Sequence, residues 1–134
     1  MIVCREKRVL SNSMDVAKLL KSILFKQDPV SRDKEHFWTI HLNARHRVKF
    51  VELISVGCLT SSIVHPREVF RRAVKSGSAA VILGHNHPSG DVTPSQEDIG
   101  LTERLTQAGS LIGIRVIDHV IIGSRGFQSL MEGG

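Results

Sequence analysis

The run Ala79–Leu83, "AAVIL", limits the fold more than any other stretch of the chain. It is continuously apolar and bounded by glycines, Gly77 before it and Gly84 after. Such a run suits a strand buried on both faces, which requires layers of other elements above and below it. The flanking segments can supply them. "SMDVAKLLKSILF" carries Val16, Leu19, Leu20, Ile23 and Leu24 on one helical stripe, with Ser13 as the expected N-cap. "HPREVFRRAVKSG" reads as a short helix with Pro66 in its first turn and Gly77 as its stop. A further helix is expected over "SQEDIGLTERLTQAG" and a strand over "IRVIDHVIIG". "EHFWTIHLN" and "VKFVELISVG" read as two strands joined through "ARHR", with Trp38, Ile40 and Leu42 on one face of the first. The expected class is α/β (α+β): a mixed sheet with an antiparallel hairpin, flanked by helices. That hairpin argues against a purely parallel, doubly wound topology.

With 134 residues the chain can bury a core of its own, and no repeat or low-complexity linker divides it. Its longest apolar run is far shorter than a membrane span, and charges interrupt "MIVCREKRVL" where a signal peptide would be apolar. Cys4 and Cys58 have neither metal-binding nor redox spacing and read as reduced thiols, so the expected compartment is the cytoplasm. The net charge of +5 invites a nucleic-acid partner, but its distribution weakens the case. Residues 1–50 hold 11 Lys and Arg against 5 Asp and Glu, whereas residues 51–134 hold 7 against 8. The basic half is therefore not the half with the polar loop, and its charges are interspersed rather than set among aromatics. A solvated surface is the better reading.

Chemistry concentrates in "GHNHPSGDVTPSQED", Gly84 to Asp98, directly after the apolar run. His85 and His87 are two apart, so in extended backbone both imidazoles leave the same side. Pro88 disfavours helix just before it, and the turn formers of "PSGDVTP" can bring Asp98 back toward them. Two helix starts are open. With Ser95 as N-cap, Asp98 stands at N3 in an ordinary capping box. With Thr93 as N-cap, Pro94 takes N1 and Gln96 takes N3, leaving Ser95 and Asp98 on the outward face. The second start is the one expected. Two imidazoles and a carboxylate are the ligand set of a catalytic zinc with one position open. Iron, cobalt and manganese stay open on ligand type alone, and two solvent-exposed loop histidines are the simpler alternative.

The spacing His85-x-His87-Pro88, ten residues between His87 and Asp98, and Ser95 three before that aspartate resemble the JAMM motif of the MPN+ (JAB) metallopeptidases. "HNHPSGDVTPSQED", with "VHPREVF" upstream and "DHVIIG" downstream, is similar to the RadC-like bacterial branch from about Glu35 to Leu130. The resemblance implies a JAB/MPN, cytidine-deaminase-like domain over residues 31–134, preceded by a strand and helix extension over 1–30. It implies one zinc ion on His85, His87 and Asp98, Glu35 as the catalytic base, and Ser95 as donor to the oxyanion. The implied reaction is hydrolysis of a peptide or isopeptide bond in a peptide or protein substrate, by metal-activated water. Composition and spacing do not separate Glu35 from Glu52, Glu68 or Glu97.

A rival from another class is a DNA-repair-associated module that binds DNA or a protein without hydrolysis. Family members usually carry an N-terminal helical region, and only about thirty residues precede the domain here. If DNA affinity resides in that region, this chain is expected to lack it. A contiguous "HNH" is not the dispersed motif of the nucleases of that name, and no Pro-Cys-x-x-Cys follows to suit a zinc deaminase. His65 and His119 read as structural, and His36, His41 and His46 as surface or cross-strand residues. Arg67, Arg71 and Arg72 read as solvated helix charges. Gly84 and Gly90 are expected to serve backbone geometry.

Overall fold

The computed structural model describes residues 1–5, 8–57 and 64–131. Cys58 lies outside the described residues, and Cys4 is half-buried. The elements run β1 (Ile2–Cys4), α1 (Ser13–Leu24), α2 (Pro29–Arg32), β2 (His36–Leu42), β3 (Val48–Val56), α3 (Pro66–Ser76), β4 (Ala80–Asn86), α4 (Gln96–Ile112), β5 (Arg115–Gly123) and β6 (Gly126–Ser129). The six strands form one sheet in the order β1-β3-β2-β4-β5-β6. Only β4 and β5 pair in parallel, because α4 carries the chain back across the sheet between them. The expected mixed sheet is thus present, with the antiparallel β2–β3 hairpin turning at Asn43–Arg47. Asn43 Oδ1 closes that turn by accepting from the N–H groups of Arg45 (2.9 Å) and Arg47 (3.0 Å).

Every residue of β4 is buried, as the apolar run demands. Alternate side chains serve two separate cores. Ala80 and Ile82 join Trp38, Ile40, Leu42 and the α1 stripe of Val16, Leu19, Leu20 and Ile23 on one face. Val81 and Leu83 join Phe37, with Val69 and Phe70 of α3 and Leu101 and Leu105 of α4, on the other. Full burial of a side chain such as Leu20, at 0% exposure, stabilises by about 1.5–3 kcal/mol. Contact with α1 is closest at Gly84, where an added Cβ would lie 2.3 Å from Leu20 Cδ1. The glycine lets the helix seal the sheet immediately before His85.

Three details depart from the sequence reading. α1 is capped by Asn12, not Ser13: Asn12 Oδ1 accepts from Asp15 N (2.9 Å), and Asp15 Oδ2 accepts from Ser11 N in return. The other two are the short elements β6 and α2, whereas β1 lies within the strand and helix extension expected over 1–30. The two strands are sheet edges of three and four residues, and α2 is a single turn started by Asp28 and Pro29. Pro66 and Gly77 begin and end α3 as expected, with Gly77 in the left-handed region at φ 68°. No helix among the described residues is long and apolar enough to cross a membrane.

Candidate metal centre

β4 lies between β2 and β5 in the sheet interior, so its C-terminal end is held from both sides. His85 is the penultimate residue of β4 and is 1% exposed. His87 follows the strand but keeps a ladder bond, donating its N–H to Ile122 O at 2.9 Å. The chain then turns at Gly90 (φ 92°) and lies against the β5–β6 turn. A Cβ at Gly90 would meet Ser124 Oγ at 2.4 Å, and one at Gly123 would meet Gly90 O at 2.7 Å. Gly123 therefore serves close approach of two backbones, and Gly90 supplies the positive φ of the turn, the backbone role expected of it.

Ser95, not Thr93, caps α4, and this overturns the favoured helix start. The reason is local. Asp91 Oδ1 already accepts from the N–H (3.0 Å) and the hydroxyl (2.8 Å) of Thr93, which leaves Thr93 no part in the cap. Ser95 Oγ accepts from Asp98 N (3.1 Å), and Asp98 Oδ2 accepts from Ser95 N (2.8 Å), a complete capping box. The cap does not remove Asp98 from the site. Its Oδ1 lies 3.2 Å from His85 Nε2, and its Oδ2 lies 3.2 Å from His87 Nε2. One carboxylate both starts the helix and faces the histidines. Burial works against its charge, but contact with His85 and the Ser95 N–H outweigh that and hold the carboxyl well below the usual range.

The protons behind the histidines can be traced. Thr102 Oγ donates its single proton to Asp98 O (2.7 Å), because a carbonyl can only accept. The contact between Thr102 Oγ and His119 Nδ1 must then be donated by His119. His119 is fully buried, and burial above all pushes its pKa well down, so the ring is neutral. Its Nε2 is therefore an acceptor, and His85 Nδ1–H donates to it at 2.7 Å. On the other ring, His87 Nδ1–H donates to Asp91 O at 2.8 Å. Both histidines thereby carry a proton on Nδ1, which leaves Nε2 as the atom that could face an ion.

The two Nε2 atoms stand 3.0 Å apart beside the Asp98 carboxylate, a spacing that a shared proton or a metal cation between them would satisfy. The ligand atoms of His85, His87 and Asp98 lie within 4.8 Å of one another. Two imidazole nitrogens and one carboxylate oxygen, with oriented outer partners, fit a divalent ion of borderline softness. Sequence reasoning misses His119 and Thr102 as support for the site. The string "DHVIIG" marks His119, but only the parallel β4–β5 pairing, with Leu83 opposite His119, brings it behind His85.

Glu35 stands one residue before β2 and is half-buried. Antiparallel pairing of β2 with β4 puts Phe37 opposite His85 and so carries the start of β2 toward the histidines. Asn86, between the two ligands and 2% exposed, fixes that approach. Its Oδ1 accepts from His36 N (2.6 Å) and its Nδ2 donates to Lys34 O (3.0 Å), bracketing Glu35 on both sides. Glu35 O also accepts from Gly57 N at 2.8 Å. Two of the other glutamates are engaged elsewhere: Glu52 by His41 (3.2 Å) and Arg72 (2.9 Å), and Glu68 by Arg71 (3.0 Å). His36 and His41 are buried, at 2% and 0% exposure, so neither is a surface residue; His46 is an exposed turn residue. Arg72 is ion-paired with buried Glu52 rather than simply solvated. His65 is structural, as expected: it caps α3 by accepting from Arg67 N (3.1 Å).

A family model described as the RadC-like JAB domain matches residues 10–134. Three relatives carry the name UPF0758 protein. That of Desulforudis audaxviator is 57% identical over 102 residues, covering 75% of this chain and 44% of the relative. The Moorella thermoacetica protein is 48% identical over 126 residues, covering 94% and 53%. The Geobacillus kaustophilus protein is 45% identical over 131 residues, covering 98% and 56%. The chain thus spans roughly half the length of these relatives.

Proposed function

The chain belongs to the RadC-like JAB domain family, and from that premise we propose that it is a zinc-dependent hydrolase of the JAMM type, cleaving a peptide or isopeptide bond. The observation that carries this reading is the pair of Nε2 atoms 3.0 Å apart, facing the two oxygens of Asp98. His85, His87 and Asp98 would hold the ion, and zinc suits their mixed nitrogen and oxygen donors with an open fourth position. When bound, the ion supplies Lewis acidity, acidifying water and polarising a carbonyl.

The remaining work falls to this chain's own side chains. Glu35 accepts a proton from the attacking water on its carboxylate and delivers it to the nitrogen of the leaving amine. Asn86 supports that role by tying down the backbone on either side of Glu35. The Ser95 hydroxyl accepts from Asp98 N with a lone pair and keeps a proton to donate to the oxyanion that forms at the carbonyl carbon. His119 and Thr102 keep the His85 proton on Nδ1.

The test is metal analysis of the purified wild type and His85→Ala, followed by a peptide-library cleavage screen of wild type against Glu35→Gln. One zinc per wild-type chain, none in His85→Ala, and cleavage lost in Glu35→Gln with its zinc retained are expected. Zinc uptake without Glu35-dependent cleavage would refute the hydrolase and leave a binding module.

A further inference from the structure

A cleft of about 490 Å³ opens beside His87, between the end of β5 and the segment joining α1 to α2. Its size falls within the roughly 300–1,000 Å³ of small-ligand sites. Leu24, Phe25, Pro29 and Ile122 give it apolar walls. Phe25 is 63% exposed, and the Arg32 guanidinium lies 5.4 Å from its ring centre. An exposed ring on the wall of a cleft that reaches a metal ligand is a recognition surface in search of an apolar partner.

The charges on this cleft are unbalanced. Lys21 and Arg32 line it as cations, with Asp33 as the one carboxylate. Neither cation forms an ion pair among the described residues. Arg32 Nε is buried and has no hydrogen-bond acceptor among them. The half-buried Arg32 side chain nonetheless reaches the cleft with no acidic partner among the described residues, and a carboxylate matches a guanidinium better than any other common group. Asp33 and the apolar walls weigh against a nucleic-acid backbone, which would bring a row of phosphates into the same space.

We propose that this cleft binds an extended peptide segment in which an apolar side chain lies against Phe25 and a neighbouring glutamate or aspartate is held by Arg32 and Lys21. The proposal rests on the hydrolase reading only in naming that segment as part of the substrate. It supplies a preference that the metal ligands cannot: three ligands and a base recognise an amide, whereas this wall recognises what lies next to it.

The test is a nuclear magnetic resonance titration of the full chain with two end-blocked peptides, acetyl-Ala-Leu-Glu-Ala-amide and its Gln counterpart. Blocking both ends leaves the side chain as the only carboxylate. The Glu peptide should bind about tenfold more tightly, the worth of one charge-assisted contact, with shifts at Phe25 and Ile122. Arg32→Gln should erase the preference while keeping a native spectrum, and Phe25→Ala should weaken both peptides and leave their ratio. Equal binding, no binding, or a preference that survives Arg32→Gln overturns the proposal. So does tighter binding of an oligothymidine at the same residues. Repeating the titration on His85→Ala separates the two readings. A Glu preference there upholds the cleft even if zinc or hydrolysis fails, and its absence from both proteins sinks the cleft without touching the hydrolase.

Discussion

Replacing Thr102 with valine removes one hydroxyl at nearly constant shape, and the hydrogen bonds around it fix where the loss is felt. Asp98 O keeps its helical partner, so the loss falls on His119 Nδ1–H, which sits on a ring at 0% exposure. If His119 keeps its tautomer, a buried donor is orphaned at a cost of about 1–3 kcal/mol. If it moves its proton to Nε2, it becomes a donor toward His85 Nδ1, and the His85 proton is forced onto the Nε2 meant for the ion. Either route weakens the centre. Zinc affinity should fall about 10- to 100-fold, the usual effect of losing an outer partner of a ligand histidine. Thr102→Ser keeps the hydroxyl and should retain most of the affinity. Competition with a chromophoric chelator gives the affinities, and long-range nitrogen–proton spectra give the His85 tautomer. Wild-type affinity in Thr102→Val, with His85 still protonated on Nδ1, would refute the proton order running from Thr102 through His119 to His85.

Other outcomes rest on the same geometry. Asn86→Ala orphans the His36 amide, so hydrogen exchange at His36 should quicken and stability fall by about 1–3 kcal/mol, while zinc stoichiometry stays at one. Ser95→Ala loses the α4 cap for about 1 kcal/mol in chemical denaturation, keeps zinc, and should lose roughly 10²–10³ in turnover if the hydroxyl meets the oxyanion. Acid should destabilise the metal-free chain. His119 has a folded pKa below its ordinary 6.5, so the unfolded chain binds the extra proton. Stability is complete above about 6.5 and falls below it, by at most about 1.4 kcal/mol per pH unit. Asp98, also depressed, adds a loss only below its ordinary 3.8. Urea midpoints between pH 8 and 5 measure the first effect, and His119→Gln should flatten it; a midpoint that rises on acidification contradicts the sign.

Much of the fold is legible in the sequence because periodicity and turn chemistry agree. The stretch "AAVIL" requires two covering layers, "HPREVFRRAVKSG" carries its own start and stop, and the hairpin is bounded by alternating apolar residues. Periodicity reveals neither β1, which is expected only through the resemblance, nor β6, since three or four residues carry no usable alternation and pair as strands through β3 and β5. The helix starts mislead where capping residues crowd together, Asn12 beside Ser13 and Thr93 near Ser95. The choice is made by neighbouring side chains that propensity alone does not rank: Asp91, two residues away, engages Thr93, while Asp98 pairs with Ser95 and faces the histidines. The candidate ion ligands are visible as a spacing, but His119, thirty-four residues from His85, becomes a neighbour only through strand pairing.

The double employment of Asp98 sets what this position can tolerate. Asparagine there still offers an oxygen to the Ser95 amide and spares the helix, yet removes the charge that balances a dication. Glutamate keeps the charge but moves it one carbon outward, disturbing cap and ligand together. A descendant that abandoned the metal could therefore drift to asparagine and remain well folded. Residue 98, more than either histidine, is where loss of chemistry would leave the architecture intact.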